Sequence, residues 1–310
     1  MSIFVAVALV LVGFVLLIWS ADVLVDNASE LASNLGVSTF LIGIVIVGFG
    51  TSAPELFVSA MAAMEDKGNL ALGNALGSNI TNIGLVLGAA AVVGFLSVDK
   101  IVAKRDIPMV IVAGIVSVAL LIDGTLSGID GLVLLALLVA YLVYSAKAAG
   151  GSTEEVIPEK STALSAAWTI GSIIVLMGAS RILVEGAVTI ATFFNVSELL
   201  IGLTIVAIGT SLPELAAAIA AAKKGVHEMI IGNIIGSNVF NTLGVLGLTG
   251  ALRETGIDTG VLWRDFPVMF AFTIFMLIVG LYKGGFGRRE GILLLIGYFS
   301  YLGFLIISAT

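Results

Sequence analysis

The sequence predicts an all-α polytopic membrane protein with ten transmembrane helices, arranged as two inverted five-helix repeats. Hydrophobic residues make up 59% of the 310 and charged residues only 11%, with a mean hydropathy of +1.17; soluble domains carry about a quarter charged residues. Apolar runs of the length that crosses a bilayer as helix, about 20 residues, recur along the whole chain. The stretch from Gly43 to Gly88 also returns without a gap, 159 residues later, from Gly202 to Gly247.

Taken in order, the first five spans fall at 2–21, 38–64, 70–95, 107–122 and 129–148. The polar segment GGSTEEVIPEKS at 150–161 follows, and its Glu154, Glu155 and Glu159 mark a plain tether. Five more spans lie at 162–180, 197–222, 229–252, 266–282 and 290–308. The chain therefore divides into an N-terminal five-helix repeat (1–149), a cytoplasmic linker (150–161) and a C-terminal five-helix repeat (162–310). The first span follows Met-Ser-Ile-Phe with no basic region and is too long for a signal peptide, so it is expected to be a retained helix. Ten of the fourteen Lys and Arg residues fall on the side reached after the first span. By the positive-inside rule both termini are then extracellular and the protein sits in the cell membrane. No cysteine is present, and the net charge of −7 argues against nucleic acid as a partner. The absence of HExxH, GxSxG and paired-Asp motifs argues against an enzyme.

The 46-residue repeat holds 20 identities, concentrated in GTSxPE, GN, GSNxxN and VLG. Chance similarity between apolar helices would spread matches through Leu, Ala and Val, whereas polar identity inside an apolar span needs a chemical reason. The offset reaches further: Asp26 falls on Glu185, and Arg105, Asp106 and Pro108 fall on Arg264, Asp265 and Pro267. One inserted residue then aligns Gly131 with Gly291. Five spans is an odd number, so the second copy enters the membrane upside down. Transporters built this way place their ion sites near the midplane, between the halves.

Each copy keeps one glutamate, Glu55 or Glu214. A charged group at the bilayer centre costs roughly 2.5 to 3.5 kcal/mol on insertion scales, and two such carboxylates repel unless protons or cations join them. Thr51 lies one turn before Glu55, with Ser52 beside it, and Thr210 and Ser211 repeat the arrangement before Glu214. Pro54 and Pro213 have no N–H for the carbonyls of Gly50 and Gly209, which are expected to be released as ligands. Asn74, Ser78 and Asn82 form a stripe on the third span, matched by Asn233, Ser237 and Asn241 on the eighth. Gly73, Gly77, Gly232 and Gly236 are expected to allow close helix approach. These oxygen donors suit a hard cation such as Ca²⁺, not zinc or copper. A lone proline would be only a kink, and lone Ser, Thr or Asn only interhelical hydrogen bonds; the duplicated glutamate motif is harder to read that way. Elsewhere, His227 is expected to be solvated and Asp106 and Asp265 to be helix N-caps. Asp22, Asp26, Glu30 and Glu185 are read as membrane-surface charges.

GTSAPE with GNALGSNITN, repeated as GTSLPE with GNIIGSNVFN, resembles the two α-repeats of the Ca²⁺/cation antiporter superfamily, with prokaryotic Na⁺/Ca²⁺ exchangers nearest in pattern. The resemblance spans nearly the whole chain and implies a secondary antiporter exchanging three Na⁺ for one Ca²⁺, electrogenic, by alternating access. It implies Glu55 and Glu214 as central ligands, Thr51 and Thr210 as coordinating mainly through main-chain oxygen, and Ser52 and Ser211 in outer Na⁺ positions. Ser78 and Ser237 would complete those positions, Asn82 and Asn241 would line the middle one, and the carbonyls of Gly48 and Ala207 are further candidates. The first and sixth helices, 2–34 and 162–195, would slide to switch access. Ca²⁺ and Na⁺ are the transported substrates; no organic cofactor and no obligate protein partner is implied. K⁺-dependent relatives carry Asp where this chain has Asn241, natural or engineered, which leaves two formal carboxylates in the cluster. H⁺/Ca²⁺ exchange and K⁺-dependent Na⁺/Ca²⁺ exchange on the same fold are the alternatives.

Overall fold

Helices make up nearly all of the regular structure in the computed structural model, which describes residues 2–148, 160–195, 205, 207–258 and 260–309. The first half contains α1 (Ile3–Leu35), then α2 (Thr39–Thr51) and α3 (Ala53–Met64), bent by 43° against each other. It continues through α4 (Gly68–Val93), α5 (Lys100–Leu121) and α6 (Gly128–Ala148). The second half contains α7 (Thr162–Phe193), α8 (Ala207–Thr210), α9 (Leu212–Lys224), α10 (His227–Leu252), α11 (Val261–Lys283) and α12 (Arg288–Ala309). Four two-residue strands, β1 (Leu96–Ser97), β2 (Thr125–Leu126), β3 (Thr255–Gly256) and β4 (Gly285–Phe286), lie in the connections.

Among the described residues seven helices are long and apolar enough to cross a membrane, and the bent α2–α3 pair makes an eighth if it is one span. Two of the ten expected spans are not among them. The 107–122 span lies in α5, whose first turns carry Lys100, Lys104, Arg105 and Asp106 and shorten its apolar part. The 197–222 span falls partly outside the described residues, as does most of the linker at 150–161.

Local chemistry sets the helix ends. Ser2 caps α1 by accepting from the Val5 N–H at 3.4 Å, and Gly36 ends it in the left-handed region at φ 66°. Ser161 caps α7 in the same way through Leu164. Asp99 caps α5, accepting from Ile101 N–H at 2.6 Å. The expectation that Asp106 is an N-cap is therefore incorrect, and Asp265 holds the N-cap position before Phe266 without making a capping bond. Asp106 lies inside α5 and its carboxylate is held by Arg105. Asp265 ends a π-helical turn at the start of α11, where Arg264 and Tyr301 occupy its oxygens.

The long helices α1 and α7 run antiparallel along each other. Asn34, near the end of α1, donates to the Lys160 carbonyl and the Ser165 hydroxyl at the start of α7, while Gly186, late in α7, packs on Ala6. The most deeply buried helices are α4 and α10, whose apolar windows are 78% and 100% buried and which form the centre on which the rest pack. On α10, Gly236 touches α2 so closely that an added Cβ would stand 2.6 Å from the Ile44 carbonyl oxygen. Gly43 on α2 meets Met229 at 2.7 Å by the same measure. Close approach at Gly73 and Gly77 is not found: among the described residues nothing lies within 4 Å of a Cβ at either.

Two antiparallel strand clasps tie the halves together at opposite ends of α5. At one end β1 pairs with β4, Leu96 opposite Phe286; at the other β2 pairs with β3, Leu126 opposite Thr255. Under the repeat offset β1 falls on β3 and β2 on β4, so the two clasps exchange. The flanking bonds exchange too: Val98 N–H donates to the Gly284 carbonyl at 2.9 Å and Ile257 N–H to the Gly124 carbonyl at 2.8 Å.

The surface charges also differ in part from expectation. Asp22 is half-buried and Asp26 exposed, and both pair with Lys224, at 3.9 and 2.7 Å, whereas Glu30 is largely covered and paired with Lys160 at 3.0 Å. His227 is half-buried, with Nδ1 2.9 Å from the Ser97 hydroxyl.

Candidate ion site

The two GTSxPE motifs form the same local structure. Helix α2 stops at Ser52, where φ is −84° and ψ is 1°, and α3 begins at Ala53. Helix α8 stops before Ser211, with φ −92° and ψ 7°, and α9 begins at Leu212. Pro54 and Pro213 sit in the first turns of the new helices, where a missing N–H costs nothing. Glu55 and Glu214 therefore lie in first helical turns, where the positive end of the helix dipole favours a carboxylate.

Both glutamates are buried, at 0% and 2% exposure. The Glu214 carboxyl lies beside the hydroxyls of Thr51 and Ser52 and within electrostatic range of Glu55, so side chains from the two halves meet. Among the described residues neither oxygen of Glu55 has a hydrogen-bond partner, nor does Oε2 of Glu214, the hydroxyl of Ser211, or either amide atom of Asn82 or Asn241, and the Ser52 hydroxyl, though beside Glu214, closes no bond of normal geometry. Buried polar atoms are almost always paired, so this many orphaned oxygens in one region fit a place where cations are the missing partners. Asn82 opens a π-helical stretch (Asn82–Leu87) and Asn241 lies in its counterpart (Phe240–Val245). Such bulges recur at functional sites. No group of three or more His, Cys, Asp or Glu is found among the described residues, and two carboxylates are the formal charge of the cluster.

Of the remaining predicted residues, some are engaged by protein and others border a cavity. Thr51 donates to the Val47 carbonyl at 3.0 Å and to Asn233 Oδ1 at 3.3 Å. Ser237 donates to the Gly48 carbonyl at 3.4 Å and to Asn233 Oδ1 at 3.3 Å. The Gly48 carbonyl also takes the Ser52 N–H at 3.1 Å, whereas in the second copy the Ser211 N–H goes to Ile208, one residue past Ala207. Asn74 holds the Ser59 hydroxyl at 2.9 Å and the Glu55 carbonyl at 3.3 Å, so it braces α3. Ser78 and Thr210 line a cavity of about 610 Å³ that also borders Asn69, Asn74, Arg264, Asp265, Tyr298 and Tyr301. Asn69 accepts from the Asp258 N–H just past β3, so the cavity lies toward the β2–β3 end.

One expected ligand is occupied by protein. The Gly209 carbonyl, expected to be released by Pro213, accepts the buried Ser180 hydroxyl of α7 at 2.8 Å. Sequence reasoning missed Ser180 because a lone serine in an apolar helix carries no motif. It also missed Asn79, which donates to the Thr242 hydroxyl at 2.7 Å and joins α4 to α10; its place inside GSN was the available signal.

Comparison with known proteins identifies the family. The model of the sodium/calcium exchanger protein family matches residues 5–147 and 164–307. The chain is 44% identical over 310 residues to the putative antiporter CaxA of Alkalimonas amylolytica, covering 96% of this chain and 97% of that protein. It is 40% identical to the inner membrane protein YrbG of Escherichia coli, covering 97% and 96%. It is 28% identical to the sodium/calcium exchanger MaX1 of Methanosarcina acetivorans, covering 95% and 96%. Among solved structures, the sodium-calcium exchanger NCX_Mj soaked with Na⁺ and Sr²⁺ superposes with a TM-score of 0.87 at 33% identity, covering 97% of this chain and 99% of that one. The chain is thus a multi-pass membrane protein that belongs to the sodium/calcium exchanger family, a family of cation antiporters and not of enzymes.

Proposed function

We propose that the protein exchanges Na⁺ for Ca²⁺ across the cell membrane by alternating access, three Na⁺ against one Ca²⁺, with net movement of charge. The observation that carries this reading is the set of buried, unpartnered oxygens of Glu55, Glu214, Ser52, Ser211, Asn82 and Asn241, drawn from both halves. Two carboxylates balance one Ca²⁺, while three Na⁺ leave one positive charge, which makes the exchange electrogenic. Thr51, Thr210, Ser78, Ser237 and the carbonyls of Gly48 and Ala207 serve the flanking positions. An unloaded, doubly negative site crosses the bilayer reluctantly, and that penalty enforces exchange over leak.

The ten spans form two inverted five-helix units, residues 1–149 and 162–310, joined by a cytoplasmic linker, with both termini extracellular. Antiparallel α1 and α7 and the exchanging strand clasps support this arrangement. With that orientation the cavity bordered by Ser78 and Thr210 opens to the extracellular side. Ca²⁺ and Na⁺ are substrates, and neither an organic cofactor nor a protein partner is required.

The test is ⁴⁵Ca²⁺ uptake into Na⁺-loaded vesicles diluted into Na⁺-free medium, at equal pH and without K⁺. Uptake that speeds up when a shunt dissipates the potential is the expected result. Uptake driven only by a pH gradient would replace this reading with H⁺/Ca²⁺ exchange, and a strict K⁺ requirement would replace it with K⁺-dependent exchange.

A further inference from the structure

The duplicated Arg-Asp-x-Pro motif, at Arg105 to Pro108 and Arg264 to Pro267, lies outside the ion cluster. In the second half Asp265 is 5% exposed, and Arg264 grips it through Nε at 2.6 Å and Nη2 at 3.0 Å. Tyr301 of α12 donates its hydroxyl to the same carboxylate at 2.7 Å. All three residues border the cavity that reaches Ser78 and Thr210.

The first half holds the same three residues. Arg105 grips the fully buried Asp106 through Nε at 3.2 and 3.0 Å. Arg105 Nη1 also reaches the Ala148 carbonyl at 3.4 Å, which sets the pair beside the last turns of α6. Tyr141 stands there, 160 residues before Tyr301. It lies within electrostatic range of Asp106 and is 7% exposed; the Ser145 hydroxyl, one turn on in α6, stands beside its own, yet among the described residues it closes no hydrogen bond to Ser145 or to the Asp106 carboxylate. One triad is closed and borders an open cavity; its counterpart is incomplete.

In an inverted-repeat protein, a contact made by only one of two equivalent groups marks what changes when the halves exchange roles. A buried phenol without a partner is costly and a satisfied one is not, so the cost now carried at Tyr141 would pass to Tyr301 in the opposite state. Two states that exchange the same penalty stay close in free energy, as a cycling transporter needs. We propose that Tyr301 and Tyr141 are access-setting positioning residues, each donating to the carboxylate of its own Arg–Asp pair only when its own end of the molecule is open. This rests on the exchanger reading for its two states.

The chain has no cysteine, so Gly73→Cys, which borders the cavity with no described atom within 4 Å, reports access by its rate of labelling with a membrane-impermeant thiol reagent. Tyr301→Phe should slow labelling by about fivefold and Tyr141→Phe should speed it by a similar factor, the size one hydrogen bond can supply. Asp265→Asn and Asp106→Asn should reproduce the same opposite pair and serve where a Phe variant does not fold. Shifts of the same sign in both tyrosine variants, or none in either, would overturn the proposal. Ca²⁺ uptake by the same vesicles decides the exchanger reading separately, because labelling does not depend on which ion is carried.

Discussion

Thr51 donates its hydroxyl to Asn233 Oδ1 at 3.3 Å, a bond between the two halves of the chain made inside the ion cluster. The equivalent asparagine, Asn74, stays within its own half and holds Ser59. The difference has a sequence cause: Ser59 falls on Ala218 in the second copy, so Asn233 has no such hydroxyl to hold. Asn233→Ala should remove this link between the halves, leave the Thr51 hydroxyl held by the Val47 carbonyl alone, and weaken ion binding. The expected result is a rise in the Ca²⁺ concentration for half-maximal uptake of about fivefold, from roughly 1 kcal/mol for the lost bond, at nearly normal expression. Unchanged uptake kinetics would confine the bond to a packing role.

Glu55→Gln and Glu214→Gln should each abolish Ca²⁺ uptake while the protein still folds. Each removes one of two buried carboxylates; among the described residues both oxygens of Glu55 and Oε2 of Glu214 lack protein partners, and a glutamine at 214 keeps an amide oxygen for the Thr51 and Ser52 hydroxyls beside it. Thermal melts in detergent separate binding from folding. The parent protein should gain stability with Ca²⁺ by mass action, and the Gln variants should melt normally without gaining it. A Gln variant that is still stabilised by Ca²⁺ would remove that glutamate from the site.

Repetition made most of the candidate site legible in the sequence. Polar identities at Thr51, Ser52, Glu55, Asn82 and their counterparts had to be explained by chemistry, because apolar drift would have erased them, and the structure buries all four. What pairwise comparison could not show was asymmetry. Gly73 and Gly232 are the same residue in the same motif, yet only Gly232 is pressed against a neighbouring backbone. Asp106 and Asp265 read as caps because each stands two residues before a proline, a pattern that is local; their partners Arg105, Arg264 and Tyr301 occupy the carboxylates instead. Two spans escaped a hydropathy criterion or the described residues for separate reasons, charge at the start of α5 and the incomplete segment before α8.

The glycine asymmetry is itself testable. Gly236→Ala would set a methyl group 2.6 Å from the Ile44 carbonyl oxygen, a backbone atom that cannot rotate away. The expected cost is about 1 to 3 kcal/mol as α2 and α10 are pushed apart. Gly73→Ala, with nothing described within 4 Å, should be neutral or stabilising, since Ala favours helix over Gly by about 1 kcal/mol. Melting temperatures of the two variants in one detergent settle the comparison, and equal losses would contradict the difference in packing.

Ser180 supplies the last prediction, because it joins a helix expected to slide to a carbonyl expected to bind ions. Its buried hydroxyl donates to the Gly209 carbonyl at 2.8 Å, while the equivalent position in α1 is Ala21 and offers no hydroxyl to Gly50. Ser180→Ala should cost about 1 kcal/mol of stability, since a buried acceptor loses its donor. The same change returns the Gly209 carbonyl to the cluster, so the stabilisation by Ca²⁺ should be kept or increased. Ser180→Thr retains the hydroxyl and should restore the parent melting temperature. Loss of Ca²⁺ stabilisation in Ser180→Ala, with rescue by Thr, would show instead that the serine holds the carbonyl in the orientation that ions need.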